Sequence, residues 1–240
     1  MVRVSDDEKF RKQRIYLIKE LIRQNILRSK LYIKAMSKVP RHKFVWPEYR
    51  DYAYVDHALP LGNTGQTISA PHMCAYMMEE LKPLPGNYVL EIGSGSGYQA
   101  ALLAEVVAPD NLDPDKWGHI TTIEIVRDLV SYAKENLRKC GYSDKVKVLY
   151  GDGTIGYPPY YEREIYDRII VTAAAPRIPD MLIKQLKKGG IMVIPVGNLY
   201  MQDLMIVNKD EKGRISIRKS ISCMFVPLVG RDGWKRRDIE

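Results

Sequence analysis

The segment covering residues 88–107 constrains the fold of this chain more than any other. An apolar run, YVLEI, breaks into glycine at alternate positions, Gly93, Gly95 and Gly97, and an apolar, alanine-rich stretch follows. Glycine lets the backbone turn sharply and approach a ligand closely, because no Cβ stands in the way. The segment therefore predicts a strand, a glycine loop and a helix in direct succession, with a ligand at the loop.

Acidic residues near this loop indicate the kind of ligand. The third glycine comes one residue earlier than in the dinucleotide fingerprint G-x-G-x-x-G, and Tyr98 and Gln99 occupy the places of the Lys and Ser/Thr of a Walker loop. Glu91 lies in the first strand. Glu124 ends the next apolar run, where a carboxylate can accept hydrogen bonds from both ribose hydroxyls. This setting favours a cationic, phosphate-free nucleoside, S-adenosylmethionine, and hence a methyltransferase.

Strands and helices alternate through the middle of the chain. Apolar runs predict strands at 88–92, 119–124, 145–150, 168–172 and 190–194, and helical periodicity predicts helices at 71–81, 97–107, 126–139 and 178–187. This order predicts an α/β fold with a Rossmann-like, doubly wound, mostly parallel sheet. Two further apolar runs, 203–208 and 215–226, have no helix between them and predict an antiparallel C-terminal hairpin at one sheet edge.

Extra helices are predicted before this core. Ser5 to Glu8 has the S-x-x-E form of a capping box, and apolar residues recur after it at helical spacing. A second short helix is predicted over residues 31–39, ending before Pro40.

Length and composition favour one domain. With 240 residues and 45% hydrophobic content, the chain can bury a large core. We expect a basic helical extension over residues 1–50, a cofactor-binding core over 51–208 and a C-terminal strand and tail over 209–240. The three cysteines show no C-x-x-C pairing, which argues against a metal site. The absence of a signal core and of any apolar run near 18 residues adds to the expectation of a cytoplasmic protein with no membrane partner.

The net charge of +8 is unevenly distributed. Residues 1–50 carry +9, residues 51–208 carry −5 and residues 209–240 carry +4. A basic arm can bind nucleic acid, but a solvated helix face is the commoner explanation. The arm leaves an RNA methyltransferase as an alternative function. Base methylation in DNA is disfavoured, because the YPPY segment at 157–160 precedes the fourth predicted strand instead of following it.

Further site candidates lie beside the glycine loop. Ligands of doubly wound sheets bind at the carboxyl ends of the strands. Asp152 and Gly153 follow the third strand there, and the Asp152 carboxylate could accept a hydrogen bond from an adenine amine or simply form a turn. Ser69, before Ala70 and Pro71, could cap a helix, or its hydroxyl could orient an anionic oxygen together with Thr67.

Seven segments occur in the order typical of one family. They are VPRHKFV (39–45), ALPLGNTGQTISAPHM (58–73), VLEIGSGSGYQ (89–99), GDG (151–153), IIVTAAAP (169–176), GGIMVIPVG (189–197) and FVPLVG (225–230). Over roughly residues 10–230 the chain resembles the protein-L-isoaspartate (D-aspartate) O-methyltransferases, a family of class I S-adenosylmethionine-dependent methyltransferases. The QTISAPHM and VP-x-x-x-F segments are specific to that family, whereas the glycine loop is common to the class.

The resemblance implies a protein-repair enzyme with a seven-stranded sheet. Its substrates would be the free carboxylates of L-isoaspartyl and D-aspartyl residues in damaged peptides, and its products a methyl ester and S-adenosylhomocysteine. No obligate protein partner is evident. Ser69 would be the active-site residue. The cofactor contacts expected from the resemblance and the motifs are Thr67, Ile68, Ser69, His72, Glu91, Gly93, Ser94, Gly95, Gly97, Glu124, Asp152 and Gly153.

The chain departs from the family pattern in two respects. Val229 stands where some members have threonine, and residues 109–118 and 231–240 extend beyond the compact members. A homologue that binds the cofactor without catalysis is a further alternative.

Overall fold

The computed structural model describes residues 6–235, except for the side chain of Asp6. The predicted capping box begins at Ser5 and therefore lies partly outside the described residues. Within these residues the chain forms six α-helices: α1 (Asp6–Arg23), α2 (Lys30–Lys38), α3 (Pro71–Leu81), α4 (Tyr98–Val107), α5 (Arg127–Lys139) and α6 (Asp180–Gln185). Nine strands accompany them: β1 (Leu59–Pro60), β2 (Thr67–Ile68), β3 (Tyr88–Ile92), β4 (His119–Glu124), β5 (Val146–Tyr150), β6 (Tyr166–Val171), β7 (Leu186–Gly197), β8 (Gln202–Lys209) and β9 (Ile215–Cys223).

The main sheet has seven strands in the order β5-β4-β3-β6-β7-β8-β9. The five strands from β5 to β7 are parallel, and β8 and β9 are antiparallel additions at one edge. This is the predicted doubly wound, mostly parallel sheet with an antiparallel C-terminal hairpin. A separate two-stranded ladder joins β1 to β2.

Strand residues alternate between two buried clusters, one on each face of the sheet. Val89 belongs to the cluster that contains the helices α1 to α5, while its neighbour Leu90 belongs to the cluster beneath α6. Because successive strand side chains point to opposite faces, this alternation requires helices on both sides of the sheet. All ten residues of α4 are buried, since α2 covers the side of α4 that faces away from the sheet.

Most predicted element boundaries are confirmed within two residues. The largest difference is at α6 and β7: the helix ends at Gln185, and the strand begins at Leu186 and not at residue 190. Leu186 pairs with Tyr166 before a register shift brings Ile191 opposite Arg168. This irregular pairing replaces the last helical turn that the apolar spacing predicted.

The order of connections places a ligand site at β3. The chain leaves β3 toward β4 and β5 on one side, then crosses back to β6 on the other side. Ile92, Ile123 and Val171 are aligned across these parallel strands, so the strands end at the same level. Such a switch in direction opens a crevice at the carboxyl ends of the strands.

Candidate active site

An open cavity of about 820 Å³ lies at the carboxyl ends of β3, β4 and β6, and we call it the strand-end cavity. Its lining comes from the β2 segment, α3, the glycine loop, the ends of β4 and β5, and the C-terminal segment. The lining includes Gln66, Thr67, Ile68, Ser69, Cys74, Gly93, Ser94, Gly95, Gln99, Glu124, Gly151, Gly153, Thr172 and Val229.

The glycine loop lines the strand-end cavity and is also held by contacts with neighbouring residues. Gly93 has a φ of 96°, and a Cβ there would lie 2.4 Å from Oγ1 of Thr172. That hydroxyl donates to the carbonyl oxygen of Gly93 at 2.7 Å. Thr172 follows β6, so this contact joins the loop to the neighbouring strand across the crevice. Only glycine fits this approach without a shift of the backbone or of Thr172.

Glu124 is fixed by backbone amides on two loops. Its Oε2 accepts from the N–H of Gly95 at 2.9 Å, and its Oε1 accepts from Ile125 and Val126 at 2.8 and 2.9 Å. These three hydrogen bonds fix the carboxylate and leave acceptor capacity for a ligand mainly on Oε2. Its position at the cavity wall fits the predicted contact with ribose hydroxyls, and its negative charge suits a sulfonium. The residues of the strand-end cavity therefore fit S-adenosylmethionine.

Glu91 lies behind the glycine loop and not on the cavity wall. Its side chain is fully buried, and its two carboxyl oxygens have no hydrogen-bond partner among residues 6–235. Burial raises the pKa of Glu91, the nearby Thr122 side chain partly opposes this shift and the Glu124 carboxylate adds to it, so that the pKa lies at about 8. Near neutral pH the group is therefore largely protonated.

Ser69 does not cap α3, so the capping alternative is wrong. The residue at the N-cap position is Ala70, and the N–H of His72 donates instead to Oδ1 of Asp56 at 2.8 Å. The carbonyl oxygen of Ser69 accepts from Nη2 of Arg41 at 2.8 Å. Arg41 thus holds the backbone of Ser69, while the Ser69 side chain is left for the cavity.

A second cavity, which we call the adjoining cavity, meets the first at Ser69. It is lined by residues from the loop before β1, from the start of α3 and from the end of β9. Thr67, Ser69, Thr172 and Val226 line both cavities. Three of these shared residues carry a hydroxyl group, and that of Thr172 donates to the carbonyl oxygen of Gly93.

The structure brings most of the predicted cofactor residues to the strand-end cavity. Thr67, Ile68, Ser69, Gly93, Ser94, Gly95, Glu124 and Gly153 line it. His72 lines the adjoining cavity only. Gly97 is the N-cap residue of α4, and a Cβ there would lie against the side chain of Leu137.

Asp152 is engaged within the protein and is absent from the lining of the strand-end cavity. Its Oδ1 accepts from the N–H and hydroxyl of Thr154 at 2.8 and 2.7 Å, and its Oδ2 accepts from the N–H of Arg231 at 2.7 Å.

Three site residues escaped the sequence-based reasoning: Arg41, Asp56 and Thr172. Arg41 is fully buried, with Nε donating to the carbonyl oxygen of Ala53 at 2.8 Å and the guanidinium over the Tyr98 ring. Because the VPRHKFV segment contains Arg41, His42 and Lys43 in a row, nothing in the sequence marked Arg41 as a fully buried charge. Asp56 and Thr172 gave no local signal. Within residues 6–235, no cluster of three or more His, Cys, Asp or Glu side chains is placed to bind a metal.

The sheet order and the strand-end cavity define an α/β fold of the methyltransferase class. Residues 12–233 match the family described as Protein-L-isoaspartate(D-aspartate) O-methyltransferase. A Protein-L-isoaspartate O-methyltransferase from Hyperthermus butylicus is 51% identical, over 98% of this chain and 96% of the relative. One from Staphylothermus marinus is 52% identical, over 95% of this chain and 98% of the relative. The chain therefore belongs to the protein-L-isoaspartate (D-aspartate) O-methyltransferase family.

Solved structures agree with this assignment. One, described as a protein-L-isoaspartate O-methyltransferase from Plasmodium falciparum in complex with S-adenosyl-L-homocysteine, superposes with a TM-score of 0.78 at 27% identity. It covers 89% of this chain and 97% of its own. A second protein-L-isoaspartate O-methyltransferase has a TM-score of 0.77 at 29% identity, over 92% of this chain and 67% of its own. These relatives give no support to the RNA methyltransferase alternative.

Proposed function

We propose that this protein transfers a methyl group from S-adenosylmethionine to the free carboxylate of L-isoaspartyl and D-aspartyl residues in damaged peptides. The products are a methyl ester and S-adenosylhomocysteine. One observation carries the proposal: Thr67, Ser69 and Thr172, which all carry hydroxyl groups, line both cavities. The strand-end cavity suits the donor, and the adjoining cavity gives an acceptor access to the same point.

The chemistry of the acceptor matches the side chains at this junction. A carboxylate with a pKa near 4 is already ionised at neutral pH, so it needs no general base. When bound, S-adenosylmethionine supplies an activated methyl carbon on its sulfonium. Ser69 donates a hydrogen bond that orients the acceptor carboxylate without neutralising it. Alignment of the reacting groups can lower the activation free energy by roughly 7–11 kcal/mol.

The acceptor reaches this junction past the end of β9, the edge strand of the sheet. Ser222 to Phe225 line the adjoining cavity, and Met224 is 79% exposed. An extended peptide can lie across such an open edge, whereas a helix or a folded loop would bring its own side chains against it. The proposed substrates are therefore flexible or unfolded segments that contain the damaged residue.

The cysteines support a place of action. Cys74, Cys140 and Cys223 are all free thiols, and unpaired cysteines are typical of a reducing compartment. We infer that the enzyme works in the cytoplasm. Within the part of the chain that the structure describes, no helix is long and apolar enough to cross a membrane.

The test of function uses labelled S-adenosylmethionine with paired peptides that differ only in isoaspartyl or normal aspartyl linkage, with bulk tRNA in parallel. The expected result is base-labile methyl ester on the isoaspartyl peptide alone. Stable label in RNA would instead identify an RNA methyltransferase. Donor binding without transfer to any acceptor would identify a non-catalytic homologue.

The test of mechanism is Ser69→Ala. Loss of the orienting hydroxyl is expected to lower kcat on the isoaspartyl peptide about 10- to 100-fold. The dissociation constant of S-adenosylhomocysteine, measured by calorimetry, is expected to stay within about twofold. Since the hydroxyl does not cap α3, the thermal midpoint is also expected to change little. A wild-type kcat in the variant would contradict the role of Ser69.

A further inference from the structure

The adjoining cavity contains a paired histidine that the donor site does not use. The side chains in its lining that carry or can gain charge are Asp56, His57 and His72, together with the thiol of Cys223. Burial raises the pKa of Cys223 to about 11, so this thiol is neutral. An incoming carboxylate therefore meets one fixed anion, Asp56, and two imidazoles.

His72 is held in a single orientation by Asp56. Its Nδ1 lies 3.0 Å from Oδ1 of Asp56, and the same oxygen accepts the backbone N–H of His72 at 2.8 Å. With Nδ1 engaged, Nε2 is the ring nitrogen left for a ligand, and it has no hydrogen-bond partner within residues 6–235. His72 is the second residue of α3, three positions after Ser69, and both residues line the adjoining cavity.

The stability of α3 does not require this pairing. Asp56 alone serves as an acceptor for the first turn of the helix, as a capping residue would. A cationic imidazole at a helix N-terminus opposes the helix dipole, so it is a cost to the helix unless another interaction offsets it. An aspartate that orients a histidine whose other nitrogen faces a cavity is instead typical of functional sites.

We propose that His72 binds the acceptor, its imidazolium Nε2–H donating a hydrogen bond to the carboxylate oxygen that does not attack the methyl group. This inference rests on the proposed function. Ser69 and His72 would then hold the carboxylate from neighbouring positions of one segment, and Asp56 would act as a positioning residue through His72. The resemblance implied a cofactor contact for His72, whereas its place in the adjoining cavity favours the acceptor.

The arrangement makes acceptor binding dependent on pH. The hydrogen bond with Asp56 raises the pKa of His72 above its ordinary value of 6.5, against the opposing effect of burial. Burial alone would raise the pKa of Asp56, but its hydrogen bonds with His72 outweigh burial and lower it, and the charge of Arg41 adds to this lowering. Asp56 therefore stays ionised. Neutral His72 keeps its proton on Nδ1, so its Nε2 becomes an acceptor and repels a carboxylate.

The test measures kcat, KM for an isoaspartyl peptide and the affinity for S-adenosylhomocysteine from pH 5.5 to 9. In the wild type, KM is expected to rise as pH increases through the pKa of His72, with a smaller change in kcat. The variant His72→Gln keeps an uncharged donor, so its KM should be about tenfold higher at pH 6 and nearly independent of pH. In Asp56→Asn, the rise in KM should move to lower pH. His119→Gln, a histidine outside the lining of both cavities, is the matched control and should keep the wild-type profile.

A second measurement separates binding from turnover. Isoaspartyl peptide is titrated calorimetrically into the enzyme saturated with S-adenosylhomocysteine, in buffers of different ionisation enthalpy. At pH values above the pKa of His72 the wild type should take up a proton when the peptide binds, because the carboxylate stabilises the imidazolium. His72→Gln should take up none. Its unchanged affinity for S-adenosylhomocysteine would show that the variant is folded.

Three results would overturn the inference in distinguishable ways. A wild-type KM profile and proton uptake in His72→Gln would leave His72 with a structural role. Weaker binding of S-adenosylhomocysteine with unchanged KM for the peptide would place His72 at the donor. A wild-type enzyme that methylates no isoaspartyl peptide, yet binds S-adenosylhomocysteine, would overturn the proposed function and this inference with it.

Discussion

Glu91 couples the glycine loop to the pH dependence of stability. Its carboxyl group is fully buried, and burial raises its pKa from 4.5 to about 8. In the unfolded chain this group ionises near its ordinary pKa, so between these two values the folded protein holds a proton that the unfolded protein has lost. Stability therefore falls as pH rises through this window and becomes constant above it. A salt-bridged carboxylate, whose pKa is lowered in the fold, has the opposite effect and makes the protein more stable as pH rises.

Replacing Glu91 with glutamine should remove this dependence. The amide has the shape of the protonated acid and cannot ionise, so Glu91→Gln should lose less stability than the wild type between pH 5 and pH 8. Thermal midpoints at pH 5, 6.5, 8 and 9 measure the effect. Glu20→Gln is the control, because Glu20 is only partly buried and its hydrogen bond with Arg23 lowers its pKa below this range. Parallel pH profiles for wild type and Glu91→Gln would show that Glu91 is ionised in the fold.

Sequence analysis identifies those residues whose place in the fold follows from the local succession of strands and loops. Gly93, Gly95 and Glu124 reach the strand-end cavity because parallel strands end together at one edge, whereas Glu91 is buried behind the glycine loop. Arg41 and Asp56 depend on contacts with residues 28 and 16 positions away, which no local pattern encodes. Ser69 was ambiguous for the same reason: its capping alternative failed because Asp56 arrives from another segment to accept the helix N–H.

At the level of elements, the C-terminal segment closes one side of the site. We call residues 226–235 the C-terminal strap. The strap runs beside the segment after β6, with the N–H of Leu228 donating to Ala174 and the N–H of Ala174 donating to Val226, both at 2.8 Å. Its Arg231 N–H donates to Asp152, and Val226 to Val229 line the strand-end cavity. Asp152 thus fixes the strap, and Val229 contributes an apolar contact where the family pattern has threonine in some members.

Displacement of the strap should weaken donor binding. A Cβ on Gly230 would lie 2.2 Å from Oδ1 of Asp152, so Gly230→Ala must shift either the strap or the Asp152 turn. We expect the dissociation constant of S-adenosylhomocysteine to rise about tenfold or more by calorimetry. Gly213→Ala is the control: it strains the β8–β9 turn, where φ is 81°, but lies outside the lining of both cavities. Equal affinities in the two variants would remove the strap from the donor site.

Element boundaries were predictable where a hydrophobic run met a turn signal, as at β3 and β4. At α6 the apolar spacing continued past Gln185 although the helix did not, because Leu186 gains strand pairing with Tyr166. The insertion at 109–118 was recognised only as a surface loop. In the structure Asp110 pairs with Nζ of Lys38 at 2.5 Å and of Lys145 at 2.6 Å, and thereby links α2 to the start of β5. Such long-range pairing is beyond sequence periodicity.

Across the whole molecule, one hydrophobic cluster joins the N-terminal helices to the sheet. It includes Phe10 and Leu21 of α1, the buried face of α4, and Leu204 and Ile206 of β8. Oε1 of Glu79 in α3 accepts the N–H groups of Arg28 and Ser29 at 2.7 Å each, at the start of α2. We therefore propose that the basic extension over residues 1–50 and the rest of the chain form a single domain. Much of the charge of this extension is then a solvated surface on a packed layer.

A single domain should unfold in one cooperative transition, and two tryptophans can test this at distant points. Trp46, after α2, packs on Tyr132 of α5 with ring centroids 4.9 Å apart, and Trp117, in the insertion, lies beneath Nζ of Lys145 at 4.5 Å. Variants that keep only one of these residues, the other tryptophans being replaced by phenylalanine, should show coincident guanidinium transitions by fluorescence and by far-ultraviolet circular dichroism. Each variant is compared with its own circular dichroism curve, which controls for the destabilisation that the replacements cause.

If the Trp46 signal changed at lower denaturant concentration than the circular dichroism of the same variant, the N-terminal layer would be a separate unit. The adjoining cavity would then lose the support of Arg41 before the sheet unfolds, because Arg41 belongs to that layer and donates a hydrogen bond to the carbonyl oxygen of Ser69.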